Sequence, residues 1–375
     1  MDFFTAYSTL KKGNEALEEC IREIPVSIDE LDLIMIFTTE SYNQELIQET
    51  AANSLNKTEF IGLCVPGLIT PEGVIREGVE LVAIGGERVE AKTIVRKIEN
   101  ESGRTGQKIG EKILSHGFQK GNVMLFPTTD LEESSSLIKG LYNKLGPEFK
   151  FLGGRVSKIF GQEDLGNGRV AVAVLTGPKV LTRVGHGWKT ESEPLVITSS
   201  EALSIKSIDG KSAYQRYAEA LGGIKEEEFS EYHLLHPIGI PDIYGNYLIR
   251  EVLSVNDDGS LNVVSEVPEG VVVNVMKANI KDLIENTEKM VDSIANDVSN
   301  PQFVLLFDCI SREDLLAENG KGGKEIKIVK EKFGTELPIC GALTFGEIGS
   351  FTKTPKLHNK TMCLGVGSPS RGEKN

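Results

Sequence analysis

The sequence predicts a mixed α/β (α+β) fold of two domains, built from a repeated helix-strand-helix-strand-strand unit with a β-rich insert before the last copy. Three observations carry this. Apolar, β-favouring runs end on phenylalanine at Leu33-Ile34-Met35-Ile36-Phe37, Val123-Met124-Leu125-Phe126 and Val304-Leu305-Leu306-Phe307, each between two helical patterns. A second apolar run ends on glycine in every copy, at Gly62, Gly153 and Gly341. The first two copies are offset by about 90 residues, as a duplication requires.

The elements follow in order. Leu10, Ala16, Leu17 and Ile21 predict a helix near 10–24; Ile109, Ile113 and Leu114 one near 105–119; Ile280, Leu283, Met290, Val291 and Ile294 one near 279–296. After each phenylalanine run comes a second helix, at Glu45–Leu55, Leu131–Leu145 and Glu325–Phe333. The closing strands are Val79–Ile84, Val170–Leu175 and Thr361–Val366. Between copies two and three, Lys179–Trp188, Leu195–Thr198, Ala202–Ile208, Tyr247–Val255 and Leu261–Val264 read as strands, with a short helix over Lys211–Leu221. Asp258-Gly259 marks a hairpin between the last two strands, and Asp209-Gly210 marks another turn. The expected division is an N-terminal domain over 1–189, with repeats at about 10–90 and 103–178, a C-terminal domain over 190–367, and a disordered tail over 368–375.

Composition narrows the function. The 375 residues carry a net charge of −14 and a pI near 5.0, which disfavours a nucleic-acid partner because phosphate backbones are repelled. No apolar run approaches the roughly 18 residues of a membrane span, so no membrane partner is expected. Met1-Asp2-Phe3-Phe4-Thr5 opens no signal peptide. The five cysteines are odd in number and form no CxxC pair, which points to reduced thiols and a cytoplasmic location.

Gly341 to Gly349, followed by Leu357 to Thr361, reads as the floor of a small polar pocket. There Glu347 either holds an ammonium or hydroxyl group or bonds backbone N–H groups. Phe345 stands beside it, and His358, Asn359 and Thr361 either complete the pocket or cap the hairpin. Cys309 and Arg312 follow the third phenylalanine run, where strand ends often line sites. Arg312 can clamp a carboxylate or make a salt bridge, while Cys309 as a nucleophile needs a base that no adjacent residue supplies. Cys64 and Arg155 hold comparable places in copies one and two. His186 and Trp188 can stack on a ligand, His186 can ligate haem iron, or both can simply pack. His233 and His236 lack a third metal ligand, and Gly210-Lys211-Ser212 lacks the first glycine of a P-loop, because position 205 is Ile205.

Across nearly its whole length the chain resembles FIST proteins, a FIST N domain followed by FIST C. The marks are Ile61-Gly62-Leu63-Cys64, Phe151-Leu152-Gly153-Gly154, Val184-Gly185-His186-Gly187-Trp188 and Ile208-Asp209-Gly210-Lys211-Ser212-Ala213-Tyr214. Further on come Asp308-Cys309-Ile310-Ser311-Arg312, Phe345-Gly346-Glu347-Ile348 and His358-Asn359-Lys360-Thr361. The resemblance implies a stand-alone sensory module that binds a small polar metabolite, with amino acids a proposed ligand class, and that signals through a separate protein. One branch of the family is similar to haem-based nitric-oxide sensors, which keeps haem as an alternative although no cofactor is expected. Other members tend to carry an aromatic residue where this chain has Thr344. No complete catalytic motif is present, so an enzyme is not expected; a Cys309-dependent enzyme and an interaction scaffold are the remaining alternatives.

Overall fold

The computed structural model describes residues 2–55, 57–99, 101–129, 133–162 and 165–369. Most of it consists of three units of the same build. In the first, Leu31–Thr39 and Glu59–Val65 pair in parallel and Val79–Gly85 closes antiparallel to Leu31–Thr39. The second uses Gly121–Pro127, Phe149–Gly154 and Arg169–Thr176. The third uses Phe303–Cys309, Ile339–Thr344 and Met362–Pro369. A parallel pair needs a crossover, and the helices Gln44–Ser54, Ser134–Leu145 and Lys324–Phe333 lie on those connections.

Each unit has two parts beyond the predicted pattern. A leading strand flanks the closing strand: Asp2–Ser8, Glu90–Lys97 and Pro178–Gly185. A short hairpin leaves each unit and joins the sheet of another. The hairpin over 68–75 pairs with Ile339–Thr344, the one over 158–166 with Glu59–Val65, and the one over 347–358 with Phe149–Gly154. Every sheet thereby gains two strands to reach six, and the exchange closes a ring of three.

Alternation along the strands sorts the core. Leu33, Met35 and Phe37 face a centre shared with Met124, Phe126, Leu305 and Phe307, while Ile34 and Ile36 face the outer helices of their own unit. The three phenylalanines predicted to end their strands meet at that centre. Their ring centroids lie 6.4 Å apart for Phe37–Phe126, 6.1 Å for Phe37–Phe307 and 5.3 Å for Phe126–Phe307. Such pairs contribute about 0.5–1.5 kcal/mol beyond the area they bury. The recurrent glycines also have a steric cause. Gly153 and Gly341 sit at φ 146° and 147°, and a Cβ on either would overlap the carbonyl oxygen of the neighbouring strand, at Leu125 and Leu306.

The β-rich insert lies between the leading strand of the third unit and helix Ile280–Asp297. Its strands form a nine-stranded sheet, with helix Ala213–Ala220 contributing Ala213 and Tyr217 to a core with Ile197, Ile208 and Val273. The predicted hairpin turn is present, with Gly259 at φ 75° and the Asn256 N–H donating to Ser260 O. No helix among the described residues is long and apolar enough to cross a membrane.

Three expectations change. Tyr247–Val255 is two strands, Tyr247–Arg250 and Val252–Val255, interrupted where Glu251 turns to an ion pair. Residues after Cys309 form a helix, Ile310–Glu318, whose buried Arg312 and Glu313 hide its periodicity. Ser368 and Pro369 are not tail: they continue the closing strand, where Pro369 stands opposite Pro178 and the Ser368 hydroxyl donates to Lys179 O. The rest of the expected tail lies outside the described residues, as do positions 131 and 132 of the expected helix over Leu131–Leu145.

Candidate functional site

The polar residues of the third unit gather where it meets the insert. After Thr344 the chain breaks at Phe345-Gly346 and forms strand Glu347–Gly349, which pairs with Lys356–His358. It then passes through Asn359-Lys360 into the closing strand, and Lys360 holds φ at 50° although it is not glycine. Such a backbone costs about 1–3 kcal/mol and persists only where surroundings impose it.

Those surroundings are ionic. Lys360 is buried, its Nζ lies 2.8 Å from Glu251 Oε1, and it stands 5.8 Å from the centre of the Trp188 ring. Buried lysines are rare unless paired. Glu251 Oε2 accepts from the Ser311 hydroxyl at 3.2 Å, and that hydroxyl lies 3.2 Å from Cys309 Sγ. The Cys309 thiol in turn hydrogen-bonds the carboxyl of Glu347. Thr344 Oγ1 donates to Glu347 Oε1 at 2.9 Å, and the Thr361 N–H donates to Oε2 at 3.2 Å.

Burial dominates the acid–base state of this chain of groups. Glu347 is wholly buried, and desolvation pushes its carboxyl well above the usual carboxylate range, although its hydrogen bonds pull the other way. Desolvation, then the charges of Glu347 and Glu251, pushes the Cys309 thiol far up, which keeps it protonated. Cys64 is also buried and raised by desolvation, and the Ser157 hydroxyl donates to its carbonyl. All five cysteines are free and buried.

Arg312 is wholly buried, and its fork grips both oxygens of Glu325. The same guanidinium reaches Asp308 Oδ1 at 3.4 Å, Leu283 O at 3.2 Å, Thr287 Oγ1 at 3.2 Å and His186 O at 3.4 Å. It ties helices Ile280–Asp297, Ile310–Glu318 and Lys324–Phe333 together, so the expectation that it clamps a ligand carboxylate gives way to a structural role. Arg155 likewise bonds inward, to Thr129 O and to Val264 O of the insert, while its backbone pairs with Phe345 and Gly346.

The histidines mark the open side. His186 is half-buried, its Nδ1 accepts from the Trp188 N–H at 2.9 Å, and the Tyr247 backbone is its other hydrogen-bond partner. Desolvation, then the Arg312 charge, lowers its pKa to about 4. Its Nδ1 is thus taken within the protein. His358 is buried, and its Nε2 lies 3.2 Å from Gly349 O. Desolvation pulls its pKa to about 3, so the ring is neutral. The Phe351 ring packs edge-on against both, 4.9 Å from His358 and 6.2 Å from His186. His358 lines a cleft of about 310 Å³ with Pro241, Tyr244, Asn246, Phe351 and Lys356. Ile243 and Tyr244, on the tip of an insert hairpin, are 91% and 71% exposed at its rim. Asn359 and Thr361 follow directly: both are buried, and the Thr361 hydroxyl donates to Asn359 O at 2.7 Å.

Glu347, Cys309, Thr361 and the His358-Asn359 pair are therefore brought to one joint, with Trp188 at its edge; Cys64 lies in the first unit. Sequence reasoning missed Lys360, Glu251, Ser311, Phe351 and Arg250. Arg250 is buried and donates to Glu266 O and Leu357 O, stitching the insert to strand Lys356–His358. The signal available was Arg250-Glu251, two charges inside a stretch read as one apolar strand.

A FIST N domain profile matches residues 32–211 and a FIST C domain profile residues 213–350. The chain belongs to the FIST family. FIST domains are sensory, ligand-binding domains of signal transduction. The uncharacterized protein MJ1623 of Methanocaldococcus jannaschii is 25% identical over 82% of the chain, which spans 64% of that protein's length. Two solved cyanuric acid hydrolase structures, one of them from A. caulinodans, align over 98% of this FIST chain and 99% and 98% of their own, at 10% and 7% identity and TM-scores of 0.39 and 0.38. Neither likeness is close enough to bear on chemistry.

Proposed function

We propose that this FIST protein senses a small polar metabolite bound in the cleft floored by His358, and signals through a separate protein partner. The observation that carries the reading is continuity. The cleft wall ends at His358, and the chain continues from there through the buried Asn359 into Lys360, whose ion pair with Glu251 joins the third unit to the insert. A ligand that moves residues 358–361 acts directly on that joint, and differential contact with two packings is what a sensor needs. Glu347 and Arg312 do not form the pocket in this reading, because both are buried and already engaged. The cleft is at the small end for ligand sites, which run from about 300 Å³.

The test is thermal denaturation against a panel of small polar metabolites, amino acids included. A true ligand at about 100 times its Kd adds about 2.7 kcal/mol, a rise of several degrees. Tyr244→Ala and Leu248→Trp, at the cleft rim, abolish that rise. Stabilisation that survives both substitutions places the ligand elsewhere and sinks the reading.

A further inference from the structure

His358 is unusual among the polar groups of the cleft. A carbonyl oxygen only accepts, so the contact with Gly349 O requires the proton on Nε2. In the neutral ring Nδ1 is then a bare acceptor. It is buried and has no hydrogen-bond partner among the described residues. Such atoms are costly to leave unpaired.

The other cleft groups make different demands. The Asp242 carboxylate is taken by the Tyr244 N–H, the Asn246 N–H and the Asn246 amide, all at 2.9 Å. Phe351 and Tyr244 offer aromatic surface, against which flat rings stack well. We propose that the cleft takes a small, flat, uncharged molecule that presents an N–H or O–H donor to Nδ1 of His358. This rests on the cleft being the ligand site. The groups whose charge acts on the imidazole are Arg250, His186 and Lys356, and all three disfavour added positive charge there, so a neutral donor is preferred to an ammonium. A bare carboxylate or an ether supplies only acceptors and leaves Nδ1 unpaired. Phe351 packs against the His358 ring and sits in the irregular stretch over 350–355, so entry requires this side chain to turn aside.

Matched ligand pairs test this without altering the protein. Indole is compared with N-methylindole, and phenol with anisole, by calorimetry on the full chain. The donor-bearing member should bind at least about tenfold more tightly, the usual effect of leaving a buried acceptor unpaired. His358→Phe, which keeps a ring but no acceptor, should erase the difference within each pair. If both members of each pair bind alike at the cleft, shown by loss of binding in Tyr244→Ala, the donor requirement is wrong and the cleft reading stands. If neither member binds, or binding ignores Tyr244→Ala, both fall.

Discussion

The three hairpins exchanged between units occupy equivalent positions, and one residue in each stands beside a strand-ending glycine. Opposite Leu63 it is Ile159, opposite Ala342 it is Leu68, and opposite Gly154 it is Glu347. Two copies place a hydrocarbon where the third places a buried carboxyl. The same contrast holds one step from the central phenylalanines: Thr38 and Pro127 follow Phe37 and Phe126, whereas Asp308 follows Phe307 and begins an ionic network. The repeat is therefore architecture held in common, and the polar cluster around Glu347 and Lys360 belongs to the third copy, at its contact with the insert.

Common architecture should respond alike in all three copies. Phe37→Ala, Phe126→Ala and Phe307→Ala should each cost about 3–5 kcal/mol in urea denaturation, the usual range for such deletions. A much smaller loss at one of them would break the pseudo-symmetry of the centre. The polar cluster should respond only in the third. Lys360→Met leaves Glu251 buried without its cation and should also cost about 3–5 kcal/mol, and Lys360→Met/Glu251→Leu should recover most of it. A double variant as unstable as the sum of its single changes would show that the pair does not act as one.

Smaller effects sharpen the same contrast. The His358 pKa is depressed to about 3, so between about pH 6.5 and that value the unfolded chain binds a proton that the folded chain does not. Stability should fall with acidification in this window by about 1.4 kcal/mol per pH unit for this residue, and His358→Phe should remove that slope. The raised carboxyl of Glu347 works in the other direction: its contribution is complete below the unfolded carboxylate range and is lost as pH rises towards its folded pKa. Glu347→Gln keeps the shape of the side chain and turns one of its two accepting oxygens into a donor, so it should cost about 1 kcal/mol, the value of one altered hydrogen bond. Ile159→Ala at the matching position should cost about 2–5 kcal/mol. Equal costs would deny the two positions their different roles.

The sequence exposed what periodicity encodes. Phenylalanine-ended runs, the glycines after them and the flanking helices were legible because each repeats and each has a local cause. Two of the leading strands were not, since Asp2–Ser8 and Glu90–Lys97 are largely half-exposed and lack an apolar run, whereas the third was read as a strand of the insert. Hairpin exchange left no mark either, because strands as short as Leu68–Thr70 and Lys158–Phe160 are defined by partners far along the chain. Within the site, Glu347, His358 and Asn359 stood out by their setting among glycines. Lys360 did not, because a buried cation looks like a surface one until its carboxylate is placed beside it. Arg312 suggested a ligand clamp for the same reason, and only Glu325 opposite it settles its role.

The most direct test of the ligand cleft is imidazole nitrogen NMR of the five histidines during addition of indole. The account predicts that Nδ1 of His358 shifts as it gains a hydrogen bond, with a smaller response at His186 through Phe351 and none at His116, His233 or His236. A saturable response at any of those three with His358 unmoved would contradict it.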